Sequence, residues 1–198
     1  GMSSARLDRI ATTVNADIQN NRLPGAVIAV ARKGKLVYYQ AFGYLDKDTG
    51  AKMTTDALFS IASMTKPMVA VGALTLTQQG KLPLFSRVDA YIPEVGQMKV
   101  EVMGPSGKME LVDQKQPMRI QDLMRHTSGL AYGGRPDTAG AAASKYPATG
   151  DLPVMSGAQE FIQRVTALPL VYQPGTTFEY STSFEMLGAI VERVTQQR

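Results

Sequence analysis

The sequence predicts a mixed α+β fold on three observations. An amphipathic helical pattern opens the chain and two strand-like runs follow it. A long apolar helix then begins at Ser63-Met64-Thr65-Lys66. Beyond Gly80, short helical patterns alternate with loops. With 44% hydrophobic and 19% charged residues in 198, and no low-complexity tract, the chain can bury one substantial core or two small ones.

The first helix places Leu7, Ile10, Val14 and Ile18 on one face, with Ser3 or Ser4 as candidate caps and Pro24-Gly25 as its break. A hairpin should follow: Ala26 to Ala31 is an apolar run, Lys33-Gly34 offers a turn, and Leu36 to Tyr44 is rich in aromatic and branched residues. Two strands are marginal alone, so helices must cover them or further strands extend them. Phe59 to Ala62 is an extended approach to the next helix. That helix is apolar nearly all round, which predicts central burial, and it ends at Gly80. Pro67 is tolerated only in a first turn, which puts Ser63 at or near the helix N-terminus.

Lys81 to Pro93 reads as an extended, turn-containing segment, and Val100 to Val112 as a small excursion. A short helix from Ile120 to His126 stops at Ser128-Gly129. Tyr132 to Pro153, dominated by Gly, Ala, Pro and Ser, reads as a long loop and a candidate wall or lid for a pocket. Ser156 with Gln159 suggests a capping box opening a helix to Ala167. Pro174-Gly175 turns the chain into Phe178 to Ser181. The final helix carries Phe184, Leu187, Ile190 and Val194 on one face, with Thr182 and Glu185 as a second capping box.

Composition removes several functions. No cysteine means no disulfide, thiol catalysis or zinc-thiolate site, and the single histidine, His126, rules out a multi-histidine metal site. The net charge of +4 is spread among acidic residues without an aromatic-interleaved basic cluster, so no nucleic-acid partner is expected. No apolar stretch approaches the roughly 20 residues of a membrane span. Gly1-Met2 reads as a cleavage scar before an initiator methionine, with no secretory segment after it, which favours a cytoplasmic location. Arg198 follows a helical pattern with no stop signal, as though the last helix were cut.

Ser63 and Lys66, three residues apart on one helical face, pair a hydroxyl nucleophile with an amine base and need no histidine. The N-terminal end of a helix also favours negative charge developing beside Ser63. With 11 serines and 10 lysines, however, Ser-x-x-Lys is close to what chance supplies. On the residues alone, Ser63 as a helix cap and Tyr180 as a packing residue explain the pattern equally well. His126 has no Gly-x-Ser-x-Gly elbow to serve and reads as a satisfied structural histidine.

Further stretches accompany Ser63-Met64-Thr65-Lys66-Pro67. They are Pro24-Gly25-Ala26-Val27, Gly80-Lys81-Leu82, Leu123 to Leu130 (Leu-Met-Arg-His-Thr-Ser-Gly-Leu), Gln173-Pro174-Gly175 and Tyr180-Ser181. In kind and order these resemble the N-terminal part of the serine β-lactamase and penicillin-binding-protein superfamily, most nearly family VIII carboxylesterases and class C β-lactamases. The resemblance implies an α/β sandwich plus an all-α subdomain, a β-lactamase/transpeptidase-like fold made incomplete by absent C-terminal sheet strands. Residues 1–62 would form the N-terminal helix and hairpin of the α/β part, and 63–198 the Ser63 helix and a mostly helical subdomain.

It also implies that Ser63 is the acylated nucleophile, Lys66 its base and Tyr180 a proton shuttle, with no cofactor or metal. The substrate would be a small-molecule ester or, weakly, a β-lactam. Thr182 stands where β-lactamases commonly carry the asparagine of Tyr-x-Asn; it is the candidate substrate-binding residue and, lacking the paired amide groups, tilts the expectation toward esters. The strand that supplies the second oxyanion donor would lie in a missing C-terminal segment, expected to bind even as a separate chain and to be needed for stability. The alternatives are an inactive relative that binds acyl or peptidoglycan-like ligands, and an acyltransferase or D,D-peptidase on the same scaffold.

Overall fold

In the computed structural model, which describes residues 1–134, 142–148 and 157–197, the chain divides into two units, Gly1–Ile61 and Ala62–Arg198. Each has its own apolar core.

In the first unit, helix α1 (Ser4–Gln19) lies against a sheet of order β1-β2-β3. The expected face is the one used: Ile18 is buried with Tyr38 and Phe42 of the sheet, and Leu7, Ile10 and Val14 pack beside them. Such burial contributes about 1.5–3 kcal/mol per large apolar side chain and closes the hairpin that could not stand alone. Strands β1 (Gly25–Arg32) and β2 (Lys35–Asp46) pair antiparallel from Gly25↔Gly43 to Arg32↔Lys35, with a bulge between Val30 and Ala31. Lys33 and Gly34 both hold positive φ, 49° and 73°, as a two-residue hairpin turn matched to strand twist requires. A short β3 (Ala51–Lys52) adds to β2. Ser3 takes the N-cap position of α1 without a side-chain capping bond.

The second unit opens on one 3₁₀ turn, Ala62–Met64, leading into α2 (Thr65–Gln78), which Gly80 terminates with φ 73°. Central burial of α2 is not what the structure shows. Ala73 and Leu76 are buried in the core beside α5, whereas Met68 and Val71 are 68% and 64% exposed and Met64 and Leu74 also face outward. A helix apolar on all sides needs a partner on every side, and the described residues cover one.

Beyond α2, 3₁₀ turns at Val88–Ala90 and Pro93–Gln97 lead to a hairpin of β4 (Val100–Met103) and β5 (Met109–Val112), where the excursion was expected. Helices α3 (Ile120–Met124), α4 (Ala158–Thr166) and α5 (Ser183–Thr195) complete the core. Leu187 and Ile190 of α5 are buried in one cluster with Ile120, Leu123, Phe161 and Ile162. The loop expected from Tyr132 to Pro153 lies outside the described residues over 135–141 and 149–156, as do the Ser156 cap and Arg198. No helix among the described residues is long and apolar enough to cross a membrane.

Candidate active site

Three segments far apart in sequence meet at the head of α2. The first is the 3₁₀ turn that carries Ser63. Ala62, the first residue of that turn, sits at φ 44°, a left-handed conformation that costs a non-glycine residue roughly 1 kcal/mol. Ser63 is exposed, while the Lys66 side chain, one turn on, is only 13% exposed. Lys66 Nζ stands 3.4 Å from Ser63 Oγ, a long contact of the kind that tightens when substrate is bound.

The second segment is the turn after α3. Asp122 is buried; its carboxylate accepts hydrogen bonds from the Arg119 amide at 2.9 Å and the Thr127 hydroxyl at 3.1 Å. These bonds pin the chain where His126 adopts φ 55° and Gly129 φ 84°. Gly129 cannot be replaced cheaply, because an added Cβ would run into the carbonyl oxygen of Tyr172.

The third segment, 171–183, straps the second down. Val171 N–H donates to Gly129 at 2.8 Å, Gly175 N–H to Thr127 at 2.7 Å and Glu179 N–H to His126 at 2.8 Å. A buried hydroxyl cluster closes the joint: Ser183 Oγ lies 2.7 Å from Ser128 Oγ and 2.8 Å from Ser181 Oγ.

This strap presents Tyr180, whose phenol donates to Ser63 Oγ at 2.6 Å. Tyr180 in turn rests on His126, ring centroids 4.7 Å apart, with Phe184 against the imidazole at 5.2 Å. His126 Nδ1 accepts the Ser181 amide at 3.2 Å, which assigns the ring hydrogen to Nε2. Burial, with a smaller contribution from the positive charge of Lys66, lowers its pKa from 6.5 to about 4, so the ring is neutral near pH 7.

The structure thus brings Ser63, Lys66 and Tyr180 together. It does not bring Thr182 to them. That side chain is fully buried and its hydroxyl donates to the Ala131 carbonyl at 3.3 Å. The expected Thr182–Glu185 capping box is absent for the same reason. The threonine hydroxyl is spent on Ala131, and Glu185 Oε1 accepts the Tyr132 phenol at 2.6 Å.

Tyr132 and Glu185 were not among the expected site residues, yet both reach Lys66. Its Nζ donates to Tyr132 Oη at 3.2 Å and lies 3.7 Å from Glu185 Oε1. Burial, reinforced by the Glu185 hydrogen bond and charge, pushes the Tyr132 phenol far above its ordinary value and keeps it protonated. The only sequence signal was an acidic residue five positions after Tyr180, which the local capping pattern also explained. No group of three or more His, Cys, Asp or Glu side chains among the described residues could hold a metal ion.

An amine and a phenol converging on one serine hydroxyl are accompanied by a match to the family model described as Beta-lactamase over residues 10–198. The chain belongs to the Beta-lactamase family. Among its relatives, Protein Rv1367c of Mycobacterium tuberculosis is 38% identical over 87% of this chain and 42% of its own length. Esterase EstB of Burkholderia gladioli is 34% identical over 98% of this chain and 46% of its own. The solved structure of EstCE1, described as a hydrolase with promiscuous acyltransferase activity, superposes with a TM-score of 0.74 at 24% identity. It covers 96% of this chain and 47% of that one, a likeness of fold. The chain therefore spans less than half the length of these relatives.

Proposed function

We propose that this chain carries the nucleophilic part of a serine esterase that works through a covalent acyl-enzyme on Ser63. The observation that carries the reading is the convergence on Ser63 Oγ of Tyr180 Oη at 2.6 Å and Lys66 Nζ at 3.4 Å, the tyrosine arriving from 117 residues away. Packing alone does not require a phenol and an amine to share one hydroxyl.

In the proposed cycle, Ser63 Oγ attacks the ester carbonyl carbon as its proton passes to Lys66 Nζ. The tetrahedral oxyanion forms beside the positive end of the α2 dipole. The C–O bond to the alcohol then breaks while the Tyr180 phenol donates a proton to the departing oxygen, and the Lys66 proton restores the phenol. Water attacks the acyl-enzyme with its proton drawn by the same pair, releasing the acid and regenerating Ser63–OH. A second oxyanion donor is proposed to come from sequence beyond these 198 residues, continuous or as a separate chain.

Two observations favour esters over β-lactams: Thr182 is sealed inside and offers no amide grip, and the relative named Esterase EstB is similar along nearly the whole chain. The test is parallel assay with p-nitrophenyl butyrate and nitrocefin. Consumption of the ester alone is expected. Faster nitrocefin hydrolysis would reverse the substrate assignment, and binding of either without turnover would replace the enzyme with an acyl-binding module.

A further inference from the structure

Against Lys66 lies a pair that the cycle above does not use. Tyr132 is 1% exposed and its phenol spends its single hydrogen on Glu185 Oε1 at 2.6 Å, so its lone pairs face Lys66 Nζ at 3.2 Å. The other carboxylate oxygen, Glu185 Oε2, is buried with no hydrogen-bond partner among the described residues.

Counting donors links this pair to Lys66. A neutral Lys66 amine has one lone pair and two N–H groups: the lone pair can take the Ser63 proton while the N–H groups face Tyr132 Oη and Glu185 Oε1. After proton transfer, the Ser63 O–H bond has broken and a third N–H has formed. The ammonium then has three donors for the three oxygens around it, at 3.4, 3.2 and 3.7 Å.

We infer that Glu185, acting directly and through Tyr132, is a positioning residue that orients Lys66 and stabilises the charge it acquires from Ser63. This rests on the acyl-enzyme reading of Ser63 and Lys66. The charged or titratable groups facing Lys66 are Tyr132 and Glu185, the Tyr180 ring at 4.9 Å, and His126, which senses its charge while remaining neutral near pH 7.

The experiment compares the parent with Glu185→Gln, Glu185→Asp and Tyr132→Phe, each first checked for folding by circular dichroism. The burst of p-nitrophenol from p-nitrophenyl butyrate, followed between about pH 5 and 9, should fall by about tenfold in Glu185→Gln. Glu185→Asp keeps a carboxylate and should restore much of the rate. Independently of turnover, competitive acetylation with acetic anhydride, read by peptide mass spectrometry, should label Lys66 about threefold faster in Glu185→Gln than in the parent, because the charged acceptor that holds the amine is gone, with Lys81 and Lys115 unchanged. Tyr132→Phe keeps the carboxylate and should give a smaller rise, so the inference stays testable even if Glu185→Gln misfolds.

A folded Glu185→Gln protein with the parent's burst and Lys66 labelling would overturn the role of Glu185 alone. A parent with no burst, in which Lys66 labelling still responds to Glu185→Gln, would instead overturn the esterase reading and leave standing only the part in which Glu185 orients Lys66.

Discussion

Tyr180 and His126 show how separate demands are met by adjacent side chains. Tyr180 must reach Ser63 Oγ, and does so at 2.6 Å from a position fixed by the imidazole beneath it. Tyr180→Phe keeps that ring contact and removes only the hydroxyl. Acylation by p-nitrophenyl butyrate should drop by roughly 10²–10⁴-fold with an unchanged melting temperature, as stopped-flow burst measurements and thermal melts would show. His126 predicts a pH dependence of a different kind. Its folded pKa of about 4 lies below its ordinary 6.5, so the unfolded chain binds the extra proton first. The stability contributed is fully present above about pH 6.5 and is lost as pH falls toward 4, up to about 3 kcal/mol in all. Urea titrations at pH 7 and pH 4.5 should show this loss in the parent and a smaller one in His126→Gln.

At the scale of elements, the Ser63, Lys66 and Tyr180 cluster depends on turns more than on helices. The Gly129 turn joins the α3 end to the strap that presents Tyr180, and its φ of 84° leaves no room for a side chain. Gly129→Ala should cost at least about 2 kcal/mol, measurable by denaturant titration, and should weaken Ser63 acylation along with stability because Tyr180 shifts with the strap. What the sequence revealed follows the distance between partners. Ser63 and Lys66 lie within one helical turn, so their spacing alone states their relation. Tyr180 could be assigned only through resemblance, because nothing local marks an approach across 117 residues. Tyr132 and Glu185, 53 residues apart, were hidden because each had a sufficient local explanation, one as a loop start and the other as a capping partner. Thr182 was misread in the same way: its hydroxyl satisfies the Ala131 carbonyl, a partner that helix-capping rules do not consider.

For the molecule as a whole, hydrophobic periodicity made one packed face legible. The face of α1 predicted from Leu7, Ile10, Val14 and Ile18 is the face buried. The exposure of α2 was not legible, since a helix apolar on every side predicts burial without saying what covers it. The central claim does not wait on that cover. It is that Ser63, activated by Lys66 and Tyr180, forms a covalent acyl-enzyme. The direct measurement is mass spectrometry of the Ser63 peptide after brief exposure to p-nitrophenyl butyrate and acid quench. A butyryl increment on Ser63, lost in Ser63→Ala and strongly reduced in Tyr180→Phe, is the predicted result. Ester consumption with the label on another residue, or undiminished in Ser63→Ala, would contradict it.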